Sequence, residues 1–279
     1  MEESNFADEN YVLSRRILCG RGSVSEFKYR DIIIRLIYLV SFLCYLFDPD
    51  MFGSLLAGRL ANQLGVCTEI TWKHLVLFAG VALALCGVLL RTWATAYLGW
   101  SVMRNPRIHT DRLISDGPFG HVRNPLYLGN LLMVAGVSVM FSRTGMVLLL
   151  AANLLLISRL IMLEETQLAR SYGASYLEYW RAVPRWIPSL KARVSPAGYV
   201  PSLKRGISGE IHLWLILIAV AVYAATFNFK LFGILFVCAF FPGASRRIYR
   251  MLEKSPLRRK RPVPEESQFK IRASGNSPV

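Results

Sequence analysis

The chain has 279 residues, 53% of them hydrophobic, and a formal net charge of +15. Its mean hydropathy of +0.36 excludes an ordinary soluble domain, which must cover its surface with polar groups. The basic residues lie between apolar segments and in the C-terminal tail instead of one patch, so anionic lipid is a better partner for them than nucleic acid.

Apolar segments recur along the chain. A hydrocarbon core about 30 Å thick requires roughly 20 mainly apolar residues in a helix, and somewhat shorter runs are tolerated. The candidate segments are 32–47, 75–90, 126–141, 146–163, 211–227 and 231–241, with residues 48–73 as a gap. The sequence therefore predicts an all-α integral membrane protein with about six transmembrane helices.

The charges in the gaps predict the orientation of these helices. Segments rich in arginine and lysine alternate with poorer ones, which places both termini in the cytoplasm by the positive-inside rule. We expect a multi-pass protein of the plasma membrane in a bacterium or of the endoplasmic reticulum in a eukaryote. Arg35 and Arg91 stand close enough to span ends to extend their charges to the membrane surface.

Cysteine and histidine show no pattern typical of disulfide or metal chemistry. The five cysteines form no CxxC pair, and the four histidines show no HExxH or comparable spacing. We therefore expect no metal site. The first thirty residues lack the apolar core of a secretory signal, so membrane insertion is expected to rely on the spans themselves.

Polar groups stand directly before the third apolar segment, in the motif GPFGHVRNPLYLGN at 117–130. Pro125 suits the first turn of a helix, where a missing N–H is not needed. Arg123 and Asn124 place donors at the mouth of that helix, beside its free N–H groups. Gly129 lets a backbone or a ligand approach closely. We expect a polar ligand to bind here.

A second motif, EETQLARSYGASYLEYWRAVPRWIP at 164–188, follows the fourth apolar segment. Carboxylates such as Glu164 and Glu165 are costly at a membrane boundary unless they pair or bind something. The alternative to a binding role is a salt bridge with loop arginines. The aromatic, amphipathic stretch that follows is typical of a helix lying in the membrane surface.

The two motifs together resemble the isoprenylcysteine carboxyl methyltransferase family, whose members carry a GPYxxxRHPxYxG-type box and then EExxLxxxFGxxYxxYxxxVPRxIP. The resemblance extends over about residues 91–188. It implies a membrane enzyme with a cytoplasmic cofactor pocket. The implied reaction transfers a methyl group from S-adenosyl-L-methionine to a lipid-linked carboxylate.

The resemblance also implies functional residues by position. Cofactor binding is expected from Leu113, Ile114, Phe119, Asn124, Pro125, Leu126, Tyr127 and Glu164. Arg123 and Gly129 of the first motif complete the predicted cofactor site. The predicted catalytic residues are Glu164 and Arg159, the latter through contact with the substrate carboxylate.

Two positions depart from the family pattern. Asn124 stands where family members usually have histidine, and an amide still donates and accepts hydrogen bonds. Leu160 stands one turn before Glu164, where members acting on prenylcysteine have an arginine, and the nearest arginine is Arg159. On a straight helix Arg159 and Glu164 point roughly 140° apart. The acceptor is therefore the least determined part of the prediction.

Taken together, these features predict five parts. They are a polar cytoplasmic segment (1–30), N-terminal transmembrane helices (31–100), a methyltransferase core with a helical hairpin (101–190), a C-terminal transmembrane hairpin (191–245) and a basic disordered tail (246–279) that binds anionic lipid. Two alternatives stay open: a phospholipid amine as acceptor, and a non-catalytic membrane scaffold. The enzyme hypotheses require residues 123–129 and Glu164 to meet as walls of one cavity open to cytosol and lipid.

Overall fold

The computed structural model describes residues 24–98 and 114–240, and the regular secondary structure in these ranges is helical. The helices are α1 (Val24–Leu43), α2 (Phe52–Leu64), α3 (Glu69–Leu98), α4 (Pro125–Ser138), α5 (Arg143–Tyr172), α6 (Ala174–Ala182), α7 (Leu203–Gly209), α8 (Ile211–Thr226) and α9 (Phe229–Phe240). Short 3₁₀ turns lie at Cys44–Leu46 and Gly117–Gly120. No strand occurs in these ranges, so the all-α prediction is confirmed. The predicted tail, 246–279, lies outside the described residues.

Two of the described helices, α3 and α5, are long and apolar enough to cross a membrane. A third candidate arises if α7 and α8, bent by 65° at their junction, form one span. The apolar helix α4 has only 14 residues. These helices support an integral membrane protein, but they do not confirm six spans. The sequence prediction also missed α2, because its mixed composition resembled a loop.

Glycines produce a very close contact between the antiparallel helices α3 and α4. Gly87 faces Gly129, and Gly80 faces Gly136. A Cβ atom on Gly136 would lie 2.3 Å from the carbonyl oxygen of Gly80, and one on Gly87 would lie 2.5 Å from that of Gly129. Both distances are far inside van der Waals contact, so only glycine permits this approach.

The first half of α1 packs against the second half of α5. Phe27 of α1 is buried with Leu156, Leu160 and Leu163 of α5, and Tyr127 of α4 packs against the same cluster. Because lipid tails are as apolar as these side chains, the gain comes mainly from close packing. The packing brings α1 alongside the end of α5 that carries the paired glutamates.

A carboxylate from a distant turn caps the beginning of α5. Asp48 Oδ2 accepts hydrogen bonds from the Thr144 backbone N–H at 2.9 Å and from the Thr144 hydroxyl, and Arg143 donates to Oδ1 at 3.1 Å. A carboxylate here satisfies free N–H groups and complements the helix dipole. These bonds, chiefly those from Thr144, lower the pKa of Asp48 to about 2.

Candidate active site

Glu165 lies at the centre of a buried polar group that we call the Glu165 cluster: Arg123, Asn124, Glu165 and Arg185. Asn124 Nδ2 donates to Glu165 Oε1 at 3.1 Å, and Arg185 donates to both carboxylate oxygens, at 3.3 and 2.5 Å. Arg123 Nη1 lies 3.7 Å from Oε1. The side chain of Glu165 is 2% exposed. The cluster therefore joins the first sequence motif to the second.

Backbone hydrogen bonds hold the first motif against the segment that follows α6. The N–H of Arg123 donates to the carbonyl of Pro184 at 2.9 Å, and the N–H of Ser189 donates to the carbonyl of His121 at 3.0 Å. Asn124 precedes Pro125, the first residue of α4, and its side chain makes no capping bond to that helix. The amide is therefore available for Glu165.

Aromatic side chains of α6 cover the cluster. The Trp180 ring lies 4.7 Å from the guanidinium carbon of Arg123, and the Tyr179 hydroxyl donates to the carbonyl of Phe119 at 2.8 Å. Tyr176 and Tyr179 are buried, and burial raises the pKa of both phenols. The sequence predicted these aromatics at the membrane surface. The structure packs Tyr179 and Trp180 of this helix against the first motif.

The other glutamate of the pair, Glu164, faces a different neighbour. The Tyr127 hydroxyl lies close enough to the Glu164 carboxylate for the two groups to interact. Arg30 lies close enough for its charge to act on both groups, and its guanidinium carbon lies 4.1 Å from the centre of the Phe27 ring. Glu164 is thus directed towards α1 and α4, whereas Glu165 is held by the arginines and Asn124.

A buried ion pair between α3 and the α7–α8 junction stands next to the first turns of α4. Arg91 donates to both oxygens of Glu210, at 3.2 and 3.0 Å, and the Thr95 hydroxyl donates to Glu210 at 2.7 Å. Arg91 Nη1 also donates to the Leu126 carbonyl at 3.2 Å and to Asn130 Oδ1 at 2.8 Å. The prediction that Arg91 extends to the membrane surface is therefore wrong.

The structure brings together the central residues of the predicted site. Arg123, Asn124, Tyr127 and Glu164 belong to the contacts just described. The others lie around them as follows: Pro125 is buried, Ile114, Phe119 and Leu126 are half-buried, and Leu113 lies outside the described residues. The required meeting of the first motif with the end of α5 is thus present.

Two predicted residues face elsewhere. Gly129 packs on α3, where a Cβ atom would lie 2.6 Å from Arg91 Cγ. Arg159 pairs with Glu26 of α1, with Nη2 2.8 Å from Oε1. A cavity of about 130 Å³ occurs between the helices, but none of the predicted cofactor or catalytic residues lines it. The predicted single cavity is therefore not confirmed.

Some residues of this region were missed by sequence reasoning. Arg185 stands in the VPRWIP end of the second motif, so the motif itself was the available signal. Arg30 and Glu210 lie far from both motifs, and no local spacing indicates them. In residues 24–98 and 114–240 there is no group of three or more metal-ligating side chains.

Comparisons with known proteins bear on this region. Residues 75–175 match a family model described as phospholipid methyltransferase. The chain is similar to the cobalt-zinc-cadmium resistance protein CzcN of Cupriavidus metallidurans, with 27% identity over 146 residues. That alignment covers 51% of this chain and 62% of the relative, which is less than two thirds of the relative's length. No solved structure matches the chain.

The matched segment contains both Asn124 and the paired glutamates, the residues through which the two motifs meet. It ends within the second motif, before most of α6. The family resemblance predicted from the two motifs is therefore confirmed for residues 75–175, the segment that matches the phospholipid methyltransferase model.

Proposed function

We propose that the protein is a membrane methyltransferase that transfers a methyl group from S-adenosyl-L-methionine to a lipid-linked acceptor. The observation that carries the proposal is the junction of the two motifs, through Asn124 with Glu165 and Tyr127 with Glu164. The family match over residues 75–175 supports the same reaction class. A scaffold whose function lay in its tail would not need these contacts.

Buried polar atoms near the first motif fit the functional groups of this cofactor. Arg123 Nε and Nη1, Trp180 Nε1 and Asp116 Oδ2 are buried without a hydrogen-bond partner in the described ranges. Nearly all buried polar groups in proteins are hydrogen-bonded, so unsatisfied atoms suit a ligand. Arg123 suits the carboxylate of the cofactor and Asp116 suits a hydroxyl. Glu164 and Tyr127 suit its cationic end, since carboxylates and aromatic faces favour cations.

The residues present support methyl transfer without a metal or a dedicated base. The cofactor supplies a methyl group made electrophilic by a sulfonium. Because a carboxylate acceptor has a pKa near 4, it is ionised at neutral pH and needs alignment and desolvation. Alignment contributes on the order of 7–11 kcal/mol. The ion-paired Glu165 would hold Asn124 and the start of α4 in place, while Glu164 would face the reacting groups.

A carboxylate of isoprenylcysteine type is our first candidate for the acceptor. Arg30, beside Tyr127 and Glu164, supports an anionic group at this position. Arg159, the predicted substrate contact, is engaged with Glu26 and would have to exchange partners. Its catalytic role stays a proposal.

A phospholipid amine is the second candidate, and the description of the matched family favours it. An amine must lose its proton before it attacks, whereas a carboxylate is already ionised. A rate that rises steeply between about pH 7 and 9 would support the amine. Label from a methyl-labelled donor would enter phospholipid in that case, and a base-labile label would indicate an ester.

Binding of S-adenosylhomocysteine to the purified protein tests the proposed function. Tyr127→Ala and Glu164→Ala are expected to weaken binding strongly, because both remove groups assigned to the cofactor. Glu69→Ala serves as a matched control, since its side chain is exposed and pairs with Lys73 at the beginning of α3. Unchanged binding in both site variants would contradict the assignment.

The basic tail is proposed to bind anionic lipid. Deleting residues 255–279 should weaken binding to vesicles that contain anionic lipid and leave S-adenosylhomocysteine binding unchanged. Retained methyl transfer after this deletion, with loss of transfer in the Tyr127 variant, would exclude the scaffold hypothesis.

A further inference from the structure

A cavity with both polar and apolar walls lies between the helices, and none of the residues assigned to the cofactor lines it. It measures about 130 Å³ and lies between α1, α3, α4, α5, α8 and α9. Its polar lining consists of Asp31, Arg35, Arg91, Asn130, Asn153 and His212. Sites for drug-sized ligands measure about 300–1,000 Å³, so this volume suits a small head group instead.

The two arginines of the cavity differ in their partners. Arg91 is neutralised by Glu210 and also donates to Asn130. Arg35 is half-buried and makes no hydrogen bond or ion pair with another residue of the described ranges. Asp31, one turn before it, is exposed and likewise does not pair with it. The cavity therefore contains one arginine whose charge is not balanced by a bonded carboxylate of the described chain.

The chemistry of these groups favours an oxyanion on an amphiphilic ligand. A half-buried arginine without a bonded carboxylate suits an anionic ligand, because burial of an unpaired charge is costly. Its planar guanidinium matches the oxygens of carboxylate or phosphate. Because Asn130 Oδ1 already accepts from Arg91, its Nδ2 group is left as a further donor. Met133, Leu213 and Ile216 add apolar walls beside these groups.

We propose that Arg35 anchors the anionic head group of an amphiphile, a phosphate or a carboxylate, in this cavity. The inference rests on the proposed function only in taking that amphiphile as the methyl acceptor. Arg91, which lines the cavity, donates a hydrogen bond to the carbonyl of Leu126, the residue before Tyr127, so the cavity lies next to the first turn of α4. The anchor comes from α1, outside the segment 75–175 that matches the family.

Titration of the purified full chain with a short-chain amphiphile tests this proposal. In dodecyl maltoside micelles, dodecyl phosphate and dodecanoate are added and the binding heat is measured. Wild type is expected to bind one equivalent of at least one of them. Arg35→Gln should weaken that binding about tenfold to a hundredfold, because hydrogen bonds to a charged group are lost, and Arg35→Lys should retain part of it.

Arg59→Gln is the matched control, because Arg59 is an exposed arginine of α2 that does not line the cavity. Unaltered circular dichroism and melting temperature establish that each variant folds. Equal weakening by Arg35→Gln and Arg59→Gln, or no effect of Arg35→Gln, would overturn the proposal. Preference for the phosphate or the carboxylate identifies the head group. If wild type binds the amphiphile through Arg35 but does not bind S-adenosylhomocysteine, the proposed function fails and the anion site stands.

Discussion

Replacing Glu210 with alanine is expected to destabilise the protein strongly, because the guanidinium of Arg91 would stay buried without its counter-ion. Glu210 is fully buried and Arg91 is 8% exposed, and the carboxylate accepts two hydrogen bonds from Arg91 and one from Thr95. Removing one partner of a buried ion pair costs about 3–5 kcal/mol. At about 1.4 kcal/mol for each tenfold change, the folding constant should fall by a factor of about a hundred to several thousand.

Reversible unfolding in mixed detergent micelles, followed by circular dichroism, measures this loss. Glu69→Ala is the matched control: it breaks the exposed pair with Lys73, whose 3.0 Å contact is worth less than about 1 kcal/mol. The double variant Arg91→Met with Glu210→Leu should recover much of the stability, since two apolar groups no longer leave a charge unpaired. A loss below about 1 kcal/mol in Glu210→Ala would refute the reasoning, as would a double variant no more stable than the single one.

Three further predictions follow from single contacts. Gly136→Ala should cost about 1–3 kcal/mol in the same assay, because its Cβ would overlap the Gly80 carbonyl oxygen, whereas Gly233→Ala meets open space and should cost little. The contribution of Asp48 to stability is complete above the ordinary carboxyl pKa of 3.8 and is lost as the pH falls towards its lowered pKa of about 2, so Asp48→Asn should remove this part of the acid sensitivity. Arg159→Gln should leave S-adenosylhomocysteine binding unchanged, since Arg159 pairs with Glu26; a clear loss of affinity would place it in the cofactor site instead.

Apolar length and local motifs were sufficient for much of the fold. The apolar run at 146–163 lies within α5, and Pro125 begins α4 as expected. The amino-acid composition was not sufficient to predict α2 or the number of membrane spans. An apolar run does not reveal whether its helix is straight. The sequence predicted a span only from residue 211 onwards, whereas in the structure α7 meets α8 there at a bend of 65°. The close contact between the glycines of α3 and α4 was also not predictable from the sequence, because it depends on the register between the two helices.

The order and spacing of the two motifs, which are local properties, were enough to indicate a methyltransferase family and to propose Asn124, Tyr127 and Glu164 as site residues. The partners of these side chains depended on folding. Only helix packing assigns Glu165 to the arginines and Glu164 to Tyr127, since the two neighbours on α5 point in different directions. Likewise, 119 positions separate Arg91 from Glu210, and a contact over that distance has no local pattern because its geometry arises from the packing of several helices at once.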